Sequence, residues 1–128
     1  MKTSLFNDTI ENIRAAADII RDGGLVAFPT ETVYGLGADA LNSEAVSKVY
    51  AAKGRPSDNP MIVHIAETSE LAKLTDDISS DMRALMDAFW PGPMTMIVRR
   101  KDIVPDVTTG GLDTVGVRLP SSEVARAL

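Results

Sequence analysis

The run Lys53-Gly54-Arg55-Pro56-Ser57-Asp58-Asn59-Pro60 sets two cations around a glycine and follows them with two prolines. Gly and Pro interrupt helix interiors and central strands alike, so the run is a conformationally restricted loop. It separates a helical pattern over residues 43–52 from an apolar strand pattern over residues 61–66. A charged loop at such a junction presents donors to an anionic ligand. Lys53 supplies a mobile point charge, and Arg55 a rigid planar fork suited to phosphate or carboxylate. The alternative is purely local: Lys53 complements the helix C-terminal dipole, Gly54 is a left-handed cap, and Arg55 stays in water. Two more polar side chains interrupt apolar runs. His64 lies mid-strand, where a hydrogen bond to a neighbour is the simplest role. Arg118 interrupts Val115, Val117 and Leu119 and needs an anionic partner, which a structural Asp or Glu would supply as well as a substrate carboxylate.

The rest of the composition narrows the chemistry. The chain of 128 residues fits one domain, with 45% hydrophobic and 24% charged residues, an ordinary soluble mix. Without cysteine there is no disulfide, thiolate zinc site or cysteine nucleophile, which fits a reducing cytosol. His64 is the one histidine, so no His-rich metal cluster exists and no protein metal site is expected. No apolar run approaches a membrane span, and the N-terminus has no signal-peptide core. A net charge of −5 disfavours a generic electrostatic grip on nucleic acid.

Hydrophobic spacing supplies the scaffold. Asp8 and Glu11 read as a capping box ahead of Ile10, Ile13, Ala17 and Ile20, a helix that Gly23-Gly24 ends. Leu25-Val26-Ala27-Phe28 predicts a strand buried on both faces. The hydroxyl-rich run Thr30 to Gly37 then reads as a loop at a strand's carboxyl end, the usual ligand shelf of α/β sheets. Asn42-Ser43 caps a second helix with Val46, Val49 and Tyr50 inward. Residues 61–66 predict a strand, 68–74 a short helix. Ser79 or Ser80 caps a third helix whose Met82, Leu85, Met86, Phe89 and Trp90 form a core-facing stripe. Strands are expected at 94–98 and 114–119, and a helix after Pro120. The chain ends at Leu128 within that helix, from which we expect residues 1–128 to be the N-terminal part of a larger domain.

Two motifs weigh little. Gly35-Leu36-Gly37-Ala38-Asp39-Ala40 fits the dinucleotide fingerprint G-x-G-x-x-G/A, but the helix start at Asn42-Ser43 comes too late for it. Arg99-Arg100-Lys101 is a basic cluster whose plain reading is a solvated strand end.

Together, Phe28-Pro29-Thr30-Glu31-Thr32-Val33-Tyr34-Gly35-Leu36, Lys53-Gly54-Arg55-Pro56 with Asn59-Pro60, Val63-His64, Trp90-Pro91-Gly92-Pro93-Met94-Thr95 and Val117-Arg118-Leu119-Pro120 resemble the YrdC-like threonylcarbamoyl-AMP synthase family. The resemblance runs from Gly23 to Pro120 and implies an α/β (α+β) fold, a twisted mixed β-sheet with helices packed on it around a large cavity. The activity it implies is that of a nucleotidyltransferase. L-threonine, bicarbonate and ATP would give threonylcarbamoyl-AMP and pyrophosphate, for threonylcarbamoyladenosine modification of tRNA in the cytoplasm. It further implies catalytic and ATP-side roles for Lys53 and Arg55, nucleotide contacts at Asn59 and Thr114, and L-threonine contacts at Thr32, His64 and Arg118, with Tyr34 lining the same pocket. Mg²⁺ is expected with ATP, and tRNA or double-stranded RNA as a partner. The family's downstream S-x-N signature does not occur before Leu128, so we expect this chain to be catalytically incomplete and to self-associate through an exposed sheet edge. Two other classes stay open: a noncatalytic RNA- or nucleotide-binding module of the same fold, and a dinucleotide-binding oxidoreductase fragment.

Overall fold

A computed structural model describes residues 2–128. The order of elements is α1 (Ile10–Arg21), β1 (Val26–Phe28), β2 (Gly35–Gly37), α2 (Ser43–Lys53), β3 (Ile62–His64), a six-residue 3-10 helix (Thr68–Lys73), α3 (Ser80–Phe89), β4 (Met96–Arg99), β5 (Thr114–Arg118) and α4 (Glu123–Ala127). The α/β class with a mixed sheet is as expected. The strands divide, however, into an antiparallel β1–β2 pair and a three-stranded sheet ordered β3-β5-β4, in which β3 runs parallel and β4 antiparallel to β5.

The three-stranded sheet separates core from site by its pleat. Val63, Met96, Val98, Val115 and Val117 point to one face and join Ile65, Leu71, Leu74, Met86, Trp90, Val104 and Leu119 in the core. Each such fully buried aliphatic side chain contributes roughly 1.5–3 kcal/mol. Ile62, His64, Gly116, Arg118 and Ile97 point to the other face, as the two-residue period requires. The parallel register sets His64 opposite Arg118.

Several local expectations are corrected. The N-cap of α1 is Thr9, whose Oγ1 accepts from the Asn12 amide; Asp8 does not cap it. β1 is three residues long and Ala27 is exposed, because the strand has one neighbour among the described residues and no second layer over Ala27. The run Thr30 to Gly37 is a loop only as far as Tyr34; its last three residues form β2. Glycines are needed there because the Phe28 ring lies against them: a Cβ on Gly37 would stand 2.6 Å from it, and one on Gly35 3.2 Å. This places Gly35 and Gly37 inside a strand, with α2 starting six residues beyond, which removes the geometry a dinucleotide fingerprint needs. On α3, Met86 and Trp90 are buried but Leu85 and Phe89 are 44% and 57% exposed, since that flank of the helix packs on nothing. The strands predicted at 61–66, 94–98 and 114–119 appear at 62–64, 96–99 and 114–118.

Candidate functional site

Helix α2 delivers the cationic loop. Asn42 caps it by accepting from the Glu44 and Ala45 amides, and Val46, Val49 and Tyr50 bury its inner face. It ends at Gly54, whose φ of 61° is the left-handed cap, with the Arg55 amide donating to Tyr50 O at 3.1 Å. The local reading therefore holds for Gly54 and for Lys53, the last residue of α2 and the cation of its last turn; Arg55 follows the cap, and both cations are exposed.

What holds this loop in place comes from far along the chain. The Tyr50 hydroxyl bridges the carbonyls of Asn59 and of Val107, the latter at 3.0 Å. Burial, and then the Asp58 carboxylate, raise the Tyr50 pKa, which keeps the hydroxyl a donor. The Met61 amide donates to Thr108 O at 2.9 Å, and Thr108 Oγ1 donates to Ala40 O at 2.7 Å. Gly110 (φ 62°) lies so close to the loop that a Cβ there would stand 2.6 Å from Asp58 O. Thr108 and Thr109 are wholly buried, so the 108–111 segment is a fixed buttress behind the cations.

Lys53 and Arg55 line a cavity of about 530 Å³ together with His64, Ile62, Phe28, Gly35 and Thr108. The cavity is bounded by the β1–β2 pair, α2 and the exposed end of β3. The Phe28 ring meets the His64 ring edge to face, 5.9 Å between centroids. Burial lowers the His64 pKa, the Arg118 guanidinium pushes it the same way, and the Glu31 carboxylate opposes both. His64 is therefore a neutral imidazole near pH 7, flanked by one cation and one anion.

Arg118 is held by a hydroxyl and not by an acid. Its Nε and Nη2 donate to Thr95 Oγ1 at 3.1 and 2.8 Å, and it makes no ion pair among the described residues. A half-buried guanidinium without a carboxylate is a standing receptor for an anion. Thr32 lies on the loop that carries Glu31, its amide donating to Thr30 Oγ1 at 3.2 Å. Of the residues singled out in the sequence, Lys53, Arg55 and His64 line the cavity; Arg118 stands opposite His64 in the strand register, and Thr32 and Tyr34, exposed on the 30–34 loop, do not line it. Asn59 and Thr114 do not line it: Asn59 contributes its carbonyl to Tyr50, and Thr114 begins β5 opposite Arg99. Glu31, Thr95, Tyr50 and Thr108 were missed as contributors; an acid between two threonines just after an apolar run was the available signal for Glu31.

The basic cluster is occupied. Arg99 pairs with Asp113, Arg100 with Asp106, and Lys101 with Asp76 at 2.9 Å. Among the described residues no three His, Cys, Asp or Glu side chains assemble as a metal site, and no helix is long and apolar enough to cross a membrane.

Known proteins resemble the chain in sequence and in fold. A threonylcarbamoyl-AMP synthase of Pyrococcus abyssi is 54% identical over 91% of the chain, and one of Bacillus subtilis 52% identical over 91%. The chain spans about a third (34%) of the length of each. The crystal structure of P. abyssi Sua5 complexed with L-threonine is 52% identical with a TM-score of 0.91, covering 93% of this chain and 35% of that one. Escherichia coli YciO, 26% identical, superposes with a TM-score of 0.82 over 94% of the chain and 58% of its own. The Sua5/YciO/YrdC family, described as telomere recombination, matches residues 18–128, and the chain belongs to that family.

Proposed function

We propose that the protein is the amino-acid- and nucleotide-binding part of an L-threonylcarbamoyl-AMP synthase. The observation that carries this reading is that Lys53 and Arg55, cations without an ion pair among the described residues, share one cavity with a neutral His64 whose register partner, Arg118, likewise has no carboxylate partner among them. An enzyme joining an amino acid to a nucleotide needs these two kinds of surface side by side. The names of the P. abyssi and B. subtilis relatives support the same reading.

In this reading Arg118 takes the L-threonine carboxylate, and Thr32 and His64 bind the rest of the amino acid. Lys53 and Arg55 take the ATP phosphates; Asn59 and Thr114 contact the nucleotide from outside the cavity described above. The ammonium first loses a proton to solvent; the resulting amine adds to bicarbonate carbon with loss of water, and a carbamate oxygen then attacks the α-phosphorus as pyrophosphate leaves. No protein nucleophile is needed. Juxtaposing the reactants supplies roughly 7–11 kcal/mol of the barrier reduction. Lys53 and Arg55 stabilise charge that builds on the phosphates. Mg²⁺ belongs with the ATP substrate, since the described residues offer it no cluster of three ligating side chains, and no step is assigned to it. The product passes to an adenosine of tRNA in the cytoplasm. Self-association through the unpaired edges of β3 and β4 belongs to the same reading, and sedimentation of the purified protein tests it.

The deciding experiment titrates ATP calorimetrically with and without L-threonine and measures pyrophosphate release by the whole protein. Mutual enhancement of binding, and release that requires both L-threonine and bicarbonate, are expected. ATP binding indifferent to L-threonine would sink the proposal.

A further inference from the structure

Among the described residues, three buried polar side-chain atoms lack a hydrogen-bond partner: Glu31 Oε1, Glu31 Oε2 and His64 Nδ1. They belong to one region: the Phe28 ring, three residues before Glu31, packs edge to face on the His64 ring at 5.9 Å, and the Glu31 carboxylate is within electrostatic range of the imidazole. All three are acceptors when the carboxylate is ionised and the neutral imidazole carries its proton on Nε2. The nearby guanidinium does not serve them: Arg118 Nε and Nη2 are engaged by Thr95, and Arg118 forms no ion pair with Glu31. Burying a carboxylate without donors is costly, so the arrangement is built for a ligand rich in N–H groups. A primary ammonium has three donors and one positive charge, the complement of two carboxylate oxygens and one imidazole nitrogen.

We propose that Glu31, with His64 Nδ1, is the receptor for the ammonium group of the amino-acid substrate and sets selectivity for an α-amino acid over the matching 2-hydroxy acid. The inference rests on the amino-acid reading given under the proposed function. It adds the polarity of the subsite: cation Arg118 on the β5 end of the His64–Arg118 pair for the carboxylate, anion Glu31 on the β1–β2 loop for the ammonium. A zwitterion fits that polarity in one orientation only, which aims its amine at a fixed place in the cavity.

The test titrates wild-type protein and Glu31→Gln with L-threonine and with 2,3-dihydroxybutanoate, which keeps every group except the amine, and records the thermal midpoint of each unliganded protein. Loss of a charge-assisted hydrogen bond should weaken L-threonine binding about 10- to 100-fold in Glu31→Gln. Binding of the hydroxy acid should change less than about threefold, since it presents no ammonium. The midpoint of the variant should equal or exceed that of the wild type, because an unpaired buried charge is gone. Unchanged L-threonine affinity in Glu31→Gln would overturn the proposal. So would a lowered midpoint with both ligands weakened alike, which would make Glu31 a structural group. If wild-type protein takes up no L-threonine, the functional reading falls and this inference with it.

Discussion

Replacing Gly110 with alanine tests whether the 108–111 buttress sets the position of the cationic loop. Two penalties apply. The left-handed φ of 62° costs a residue with a Cβ about 1–2 kcal/mol. The Cβ would also meet Asp58 O at 2.6 Å, Asp58 C at 3.0 Å and Pro60 N at 3.3 Å. These are backbone atoms that cannot rotate aside, so overpacking adds about 1–3 kcal/mol. The expected loss is about 2–5 kcal/mol, a large share of the stability of a small domain. Gly111→Ala is the internal control: its φ is 84°, but nothing lies within 4 Å of the new Cβ, so it bears only the first penalty. Urea denaturation of both variants should separate them by about 1–3 kcal/mol. Calorimetric ATP titration should show weakened binding in Gly110→Ala alone, because only that variant pushes the Asp58–Pro60 backbone outward and carries Arg55 with it. Equal destabilisation of the two variants would refute the contact argument. A destabilised Gly110→Ala that keeps wild-type ATP affinity would refute the link between buttress and site.

Other outcomes follow from the same geometry. Arg55→Ala should weaken ATP binding more than L-threonine binding and Arg118→Ala the reverse, both read by calorimetry; equal losses in each would dissolve the division of the cavity. Thr95→Val frees the Arg118 guanidinium and should weaken L-threonine binding about tenfold, with thermal stability nearly unchanged. His64 has a folded pKa below the unfolded value of 6.5, so the unfolded chain takes up its proton first as pH falls. Its contribution to stability is therefore full above pH 6.5 and declines as pH drops from there toward the lower folded value. Unfolding free energies measured across that window should fall more steeply for wild type than for His64→Gln. Lys101→Ala loses the Asp76 pair and a hydrogen bond to Ala72 O at 2.7 Å, and should cost about 1 kcal/mol in urea denaturation with no effect on ATP affinity.

What the sequence made legible was local or chemical. Asn42, Gly54 and Ser79 were readable as caps because a cap is decided within a few residues. Val46, Val49 and Tyr50 were readable as a buried face from their spacing. Arg55 was readable as an exposed loop cation next to the helix-terminal Lys53, because Gly54 and Pro56 leave no regular element to absorb it. Strand β2 was not readable: its glycines have no β preference of their own, and only the Phe28 ring lying across them explains their presence. The buttress was invisible for a different reason. Thr108 and Gly110 act on residues some fifty to seventy positions away, and no periodicity records such contacts. Glu31 went unassigned because a carboxylate's meaning depends on burial and on missing partners. Leu85 and Phe89 fitted a helical stripe wider than the surface available to cover it.

The grip of Thr95 on Arg118 has a thermodynamic consequence. Two of the guanidinium nitrogens are already spoken for, so the plane of the fork is set before any anion arrives. Immobilising a long side chain on association ordinarily removes about 0.5–1.5 kcal/mol from affinity. Here that ordering is completed during folding, and an arriving carboxylate meets a rigid dock whose entropy is spent in advance.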